Sequence, residues 1–180
     1  MTLLARVASV LERTGIRYAL IGAGAMAARG VSRSTHDIDL FTTDSRALEP
    51  LTWHSLDDLG VDVRRGGAQD PLAGVVRISA PGERDVDVVV GRGGWQHEVV
   101  SRAERTHVGD VDLPVASAAD LVLLKLYAGG SQDRWDIEQL LAMGDERLVR
   151  DVETRLADLP SDARALWQTL RRGSERGSAS

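Results

Sequence analysis

The sequence predicts an α/β (α+β) fold: an N-terminal core with a mixed sheet over residues 1–115, then a C-terminal helical region over residues 116–172. Three observations carry this. Short β-rich runs mix with helical periodicity up to Val115. Three of these runs, residues 61–64, 75–79 and 86–90, are joined by turn-forming residues that suit hairpins, not helical crossovers. From Ser117 onward the chain reads as helical only.

The elements follow in order. Residues 3–13 read as an amphipathic helix, with Leu4, Val7, Val10 and Leu11 on one face and Gly15 ending it. Residues 18–21 are a short apolar strand that runs into the turn Gly22-Ala23-Gly24. A short helix over 25–29 is closed by Gly30. Residues 38–42 form a second strand, and 50–59 a helix ended by Gly60. The three β-rich runs come next, with Gly66-Gly67, Asp70-Pro71 and Pro81-Gly82 as turn signals. Residues 95–104 are expected to be helical, and 108–115 a small β element broken at Pro114. Ser117 caps a helix over 118–127, which Gly129-Gly130 breaks. Helices over 133–143, 146–159 and 162–171 follow, with Trp135 and Trp167 expected in the core. The Gly/Ser-rich tail, 173–180, is expected to be disordered.

Composition narrows the function. The chain has no cysteine, which excludes disulfide frameworks, zinc–thiolate sites and thiol catalysis. No segment approaches the roughly 18 apolar residues of a membrane span, and the first fourteen residues have the pattern of a helix, not of a signal peptide. A cytoplasmic protein with no membrane partner is expected. The net charge of −5 argues against a general nucleic-acid coat but leaves room for a local basic groove. The chain holds 21 arginines and one lysine, Lys125, so that lysine either survives by chance or sits where a compact ammonium is required.

The chemistry concentrates between Tyr18 and Phe41. In a strand, residues two apart point to the same face, so Asp37 and Asp39 project together. Paired carboxylates repel unless a cation lies between them or one is protonated. A hard divalent ion such as Mg²⁺, or Mn²⁺ in its place, takes such oxygen ligands. The side-chain-free turn before them lets backbone N–H groups approach a polyphosphate. A third acid is expected from the run around residues 85–87. Asp85 and Asp87 share a face there, and Asp87 is preferred because Val86 and Val88 place it within the strand. The four histidines show no metal-binding spacing. Arg64-Arg65 is either a solvated strand end or the lining of an RNA groove.

The order Gly22-Ala23-Gly24-Ala25, Arg33-x-Thr35, Asp37-x-Asp39 and then Asp87 resembles the DNA polymerase β-like nucleotidyltransferase superfamily. The later run Lys125-Leu126-x-Ala128, followed by Asp133-x-x-Asp136-Ile137, is similar to the lysine–aspartate signature of the AbiEii/MenT-type toxin nucleotidyltransferases of abortive infection. One departure is local. The family turn is usually Gly-Gly or Gly-Ser followed by a small polar residue, and here Ala23 and Gly24 supply no hydroxyl.

The resemblance implies transfer of a nucleoside monophosphate from a nucleoside triphosphate to an acceptor hydroxyl, assisted by two metals about 3.5–4 Å apart. It implies metal binding by Asp37, Asp39 and Asp87. Gly22, Ala23, Gly24, Arg33 and Thr35 would bind nucleotide, and Lys125 would contact nucleotide or acceptor phosphate. Asp136 would orient Lys125 or form the acceptor side of the cleft. RNA, in particular a tRNA end, is the implied acceptor, and a separately encoded antitoxin protein the implied partner. A small-molecule acceptor such as an antibiotic, and a noncatalytic regulatory role, are the alternatives. Gly22-x-Gly24-x-x-Ala27 also fits a dinucleotide-binding fingerprint, but the helix before the next strand is too short, and the acids begin that strand instead of ending it.

Overall fold

The computed structural model describes residues 1–31 and 37–177, with side chains described through Arg172. Arg33 and Thr35, both expected at the nucleotide site, lie outside the described residues. The chain divides into two compact units: Met1–Ala28 with Ser32–Ala116, and Arg29–Val31 with Ser117–Ser180.

The first unit is built on a seven-stranded mixed sheet. Its strands are β1 (Ala19–Leu20), β2 (Ile38–Thr42), β3 (Gly60–Arg65), β4 (Leu72–Ser79), β5 (Val86–Gly91), β6 (Glu104–Val108) and β7 (Val111–Val115). They lie in the order β3-β4-β5-β2-β1-β7-β6. The pairs β2–β5 and β1–β7 are parallel, and the other neighbours are antiparallel. Alternation sets the faces. Val86, Val88 and Val90 of β5 are fully buried with Val76 and Ile78 of β4, while Asp87 stands on the opposite face. Each buried valine contributes about 1.5–3 kcal/mol, so a one-residue slip of β5 would be strongly disfavoured.

Three helices complete this unit: α1 (Leu3–Arg13), α2 (Gly22–Ala28) and α3 (Gly94–Ser101). Thr2 caps α1, and its apolar face buries Leu3, Leu4, Val7, Val10 and Leu11. The glycine segment is not a separate turn. Gly22 has φ +61° and opens α2 directly. The expected helix over 50–59 is instead two 3₁₀ stretches, Ser45–Leu48 and Pro50–Leu56. Side chains compete for the backbone there: Trp53 Nε1 donates to the Ala47 carbonyl at 2.8 Å and Thr52 Oγ1 to that of Arg46 at 2.6 Å. The small β element expected near Pro114 is a full hairpin, with Gly109 at φ +64° in its turn. Its first strand takes Glu104 from the end of the expected helix, which stops at Ser101. Pro114 is tolerated in β7 because the β1 side pairs only at Leu20 and Val115.

The second unit is helical: α4 (Ala118–Ala128), α5 (Ser131–Met143), α6 (Glu146–Arg155) and α7 (Ser161–Gly177). Ser117 caps α4 by accepting from the Asp120 amide, and Gly129, in the left-handed region, ends it. The helix expected over 146–159 ends earlier, at Arg155, and a 3₁₀ turn covers Leu156–Asp158. Trp167 is buried, but Trp135 is 43% exposed, against the expectation of a core position. α7 extends to Gly177, into the tail expected to be disordered from Gly173. Residues 178–180 lie outside the described residues. No helix among the described residues is long and apolar enough to cross a membrane.

Candidate active site

The sheet register places the acids. Asp39 of β2 pairs with Asp87 of β5, and Asp87 pairs with Arg77 of β4. Arg77 in turn pairs with Asp62 of β3. Asp62, Arg77, Asp87 and Asp39 therefore form one row across four adjacent strands, on one face of the sheet. Asp37 lies two residues before Asp39. Asp85 precedes β5, where its carbonyl accepts from the Ile38 amide at 2.9 Å, so it is Asp87 that stands in the row.

A cation lies among these carboxylates, and it belongs to the protein. The Arg77 guanidinium holds Asp87 through two bonds, Nε to Oδ1 at 2.8 Å and Nη2 to Oδ2 at 2.6 Å. The same Nη2 is 3.6 Å from Asp37 Oδ2. The hydrogen bonds to Asp87 raise the guanidinium's pKa above its ordinary value, and the charges of Asp87, Asp37 and Asp85 add to this. Arg77 is the residue the sequence reading missed. A signal for it existed: in a hairpin centred on Gly82, Arg77 and Asp87 are five residues to either side and must face each other. Among the described residues, no three acids or histidines converge as a ready metal shell.

Gly22 fixes the other side of the site. The amide of Ile21 donates to the Asp39 carbonyl at 2.9 Å, which brings the start of α2 against Asp39. A Cβ on Gly22 would stand 2.0 Å from Asp39 Oδ2. Position 22 therefore needs glycine for space as well as for its positive φ. Gly22→Ala is expected to turn the Asp39 carboxylate aside and to lower stability by about 1–2 kcal/mol, as a shift of the urea midpoint. Gly24 is under no such demand: a Cβ there would meet Leu20 at 3.4 Å, an ordinary van der Waals contact. Ala23 is buried in the first turn of α2, so its methyl is a packing group.

A groove of about 490 Å³ adjoins the row and includes Arg77 and Asp87. Arg64 and Arg65 line it together with Asp62, Asp70 and the apolar Pro71, Leu72 and Val75. Arg64 pairs with Asp62 at 2.7 Å, and Arg65 with Glu49 at 3.1 Å. The arginine pair thus faces the groove beside Asp87.

The remaining two expected site residues sit in the second unit. Lys125 of α4 is buried, and its ammonium donates to Asp136 and, at 3.3 Å, to Asp133. Asp136 is fully buried and also accepts from Gln132 Nε2 at 3.3 Å. Asp133 accepts from the Gly130 amide at 3.1 Å as well, so it ties the start of α5 to Lys125.

No protein-family model and no curated protein matches the chain. Solved structures do. The antibiotic-resistance factor ANT(2'')-Ia in solution aligns with 98% of this chain and 95% of its own, at 14% identity and a TM-score of 0.56. An antigenic nucleotidyltransferase-like protein from Paracoccidioides brasiliensis aligns with 94% of this chain and 90% of its own, at 18% identity and a TM-score of 0.53. The lincomycin-bound lincosamide antibiotic adenylyltransferase LnuA aligns with 78% of this chain and 96% of its own, at 17% identity and a TM-score of 0.50. Together with the mixed sheet, these likenesses show that the chain shares the fold of these nucleotidyltransferase structures.

Proposed function

We propose that this chain is a metal-dependent nucleotidyltransferase that moves a nucleoside monophosphate from a nucleoside triphosphate to an acceptor hydroxyl. The observation that carries the reading is the row itself. Asp39 and Asp87 are in register on adjacent strands, Asp37 is two residues away, and a guanidinium already lies between Asp37 and Asp87. That guanidinium is a stand-in ion, and hard carboxylate oxygens suit Mg²⁺ or Mn²⁺. Asp37 and Asp87, which the guanidinium bridges, fit the group on this ground, and Asp39 joins them by its register with Asp87. The bound ions would supply charge neutralisation of the phosphates and a more acidic acceptor hydroxyl.

The protein's own residues orient the reactants. Gly22 keeps the backbone close to Asp39, and Ala23, Gly24, Arg33 and Thr35 are assigned to the nucleotide by the family resemblance. The acceptor oxygen bonds to the α-phosphorus, the bond from that phosphorus to the bridging oxygen breaks, and pyrophosphate leaves. The hydroxyl proton passes to water. The resemblance assigns Lys125 to a nucleotide or acceptor phosphate, with Asp136 orienting it; the ion pair between them supports the orienting part.

For the acceptor we favour RNA, at a tRNA end, with the chain as the toxin of a toxin–antitoxin pair and a separately encoded protein as its partner. The preference rests on the lysine–aspartate resemblance; the groove beside Asp87 offers three arginines as phosphate contacts, balanced by Asp62, Asp70 and Asp87 until a cation neutralises Asp87. A small-molecule acceptor is the second reading, because two of the similar structures are an antibiotic-resistance factor and an antibiotic adenylyltransferase. The test offers each labelled triphosphate with Mg²⁺ to total RNA and, separately, to aminoglycosides and lincosamides. Label in RNA is the expected result, together with slowed growth on expression of the parent and normal growth with Asp39→Ala. Label only in a small molecule moves the assignment to the second reading.

A further inference from the structure

We propose that Arg77 is a built-in counter-ion for the metal site. In the metal-free protein its guanidinium spans Asp37 and Asp87. When a divalent cation binds, Arg77 is displaced into the adjoining groove, where it joins Arg64 and Arg65 in receiving an anionic acceptor. The inference rests on the metal-site reading above and deepens it, since it couples metal binding to acceptor binding.

Three observations carry it. First, the contacts of Arg77 are to the carboxylates a metal would need, two bonds to Asp87 and a 3.6 Å approach to Asp37. The guanidinium takes one lone pair on each Asp87 oxygen and adds its own positive charge, so a divalent ion approaching from that side competes with it for the same carboxylate. Second, the pair is not locked. The Arg77 side chain is 44% exposed, with Asp87 at 13%, so water and a doubly charged competitor reach the pair from the guanidinium side. The buried ammonium of Lys125 in the second unit is the contrasting case. Third, there is somewhere for the guanidinium to go. Arg77 already lines the groove that contains Arg64, Arg65 and Asp87. In the metal-free state the charge of Arg77 is spent on Asp87. Once a cation neutralises Asp87, the groove gains a free guanidinium and favours an anion. The apolar residues Pro71, Leu72 and Val75 give a base or ribose a surface to lie on, while the arginines meet the phosphates.

Arg77 is thus a positioning residue, and the arrangement makes acceptor binding depend on metal. The test measures Mn²⁺ affinity by paramagnetic resonance and binding of a short single-stranded oligoribonucleotide, with and without Mg²⁺. The proteins compared are the parent, Arg77→Ala, Arg77→Met and Arg64→Met. Arg77→Met keeps an apolar stem, in case Arg77→Ala does not fold. The expected result is Mn²⁺ binding tighter by about fivefold or more in the Arg77 variants, because a competing ion pair is gone. Mg²⁺ should strengthen oligoribonucleotide binding by the parent and not by the Arg77 variants. Arg64→Met should weaken oligoribonucleotide binding and leave Mn²⁺ affinity unchanged. Equal Mn²⁺ affinity in parent and Arg77→Met overturns the inference and leaves the metal site standing. So does an equal gain in Arg64→Met, which would mean that general charge is at work. Absence of Mn²⁺ binding in all four proteins overturns the inference and the metal-site reading together.

Discussion

Asp39→Ala is expected to abolish nucleotidyl transfer while the protein stays folded. Asp39 is the centre of the candidate site: it pairs in register with Asp87, and its carboxylate lies where a Cβ on Gly22 would fall. Losing a ligand of this kind removes several kcal/mol of charge stabilisation from the transition state, which corresponds to a loss on the order of a thousandfold or more. The fold does not depend on this carboxylate in the same way. Asp39 shares its face with Asp37 and Asp87, so removing one negative charge relieves repulsion. The melting temperature is therefore expected to stay level or rise by a few degrees. Transfer rates and thermal melts of the two proteins check both halves. Transfer at the parental rate would remove Asp39 from the mechanism.

The largest stability effect is expected at Lys125. Its ammonium is buried between Asp136 and Asp133, and Asp136 is fully buried. Lys125→Ala leaves a buried carboxylate without its cation, which costs about 3–5 kcal/mol. Lys125→Arg is not a conservative change here, because a planar fork must enter a site shaped around a point charge. Replacing both partners, as Lys125→Met with Asp136→Leu, removes the uncompensated charge and should recover most of the loss. Urea unfolding of the four proteins checks this series. Activity of the double variant then separates the two roles of Lys125. A stable but inactive double variant supports a direct role in transfer, and a stable, active one limits Lys125 to holding α4 against α5. Parental stability in Lys125→Ala would contradict the ion-pair account.

Much of the fold was legible because alternation and turn chemistry are local. Val86, Val88 and Val90 could only face a core, so Asp87 had to face away, and the same logic paired Asp37 with Asp39. The hairpins through Pro81-Gly82 and around Gly66-Gly67 followed from turn residues alone. What escaped was set by contacts distant in sequence or by side chains capturing backbone groups. Residues 50–59 read as a helix, yet Thr52 and Trp53 bond to the carbonyls of Arg46 and Ala47 and tighten the stretch to 3₁₀. The β6–β7 hairpin was blurred by Pro114, which argues against a strand unless its neighbour is nearly unpaired. Arg77 escaped because one arginine among 21 carries no signal until the hairpin register sets it opposite Asp87. Trp135 and Trp167 have similar helical contexts, and only the tertiary packing separates the exposed one from the buried one.

The central claim is that this site makes a bond to the α-phosphorus. The most direct test incubates the protein with Mg²⁺, total RNA and each triphosphate labelled in turn at the α- and the γ-phosphate, with Asp39→Ala in parallel. The account predicts that α-label enters the RNA, that γ-label appears only in pyrophosphate, and that Asp39→Ala shows neither. Transfer of γ-label to the acceptor, or equal α-label with parent and Asp39→Ala, would contradict it.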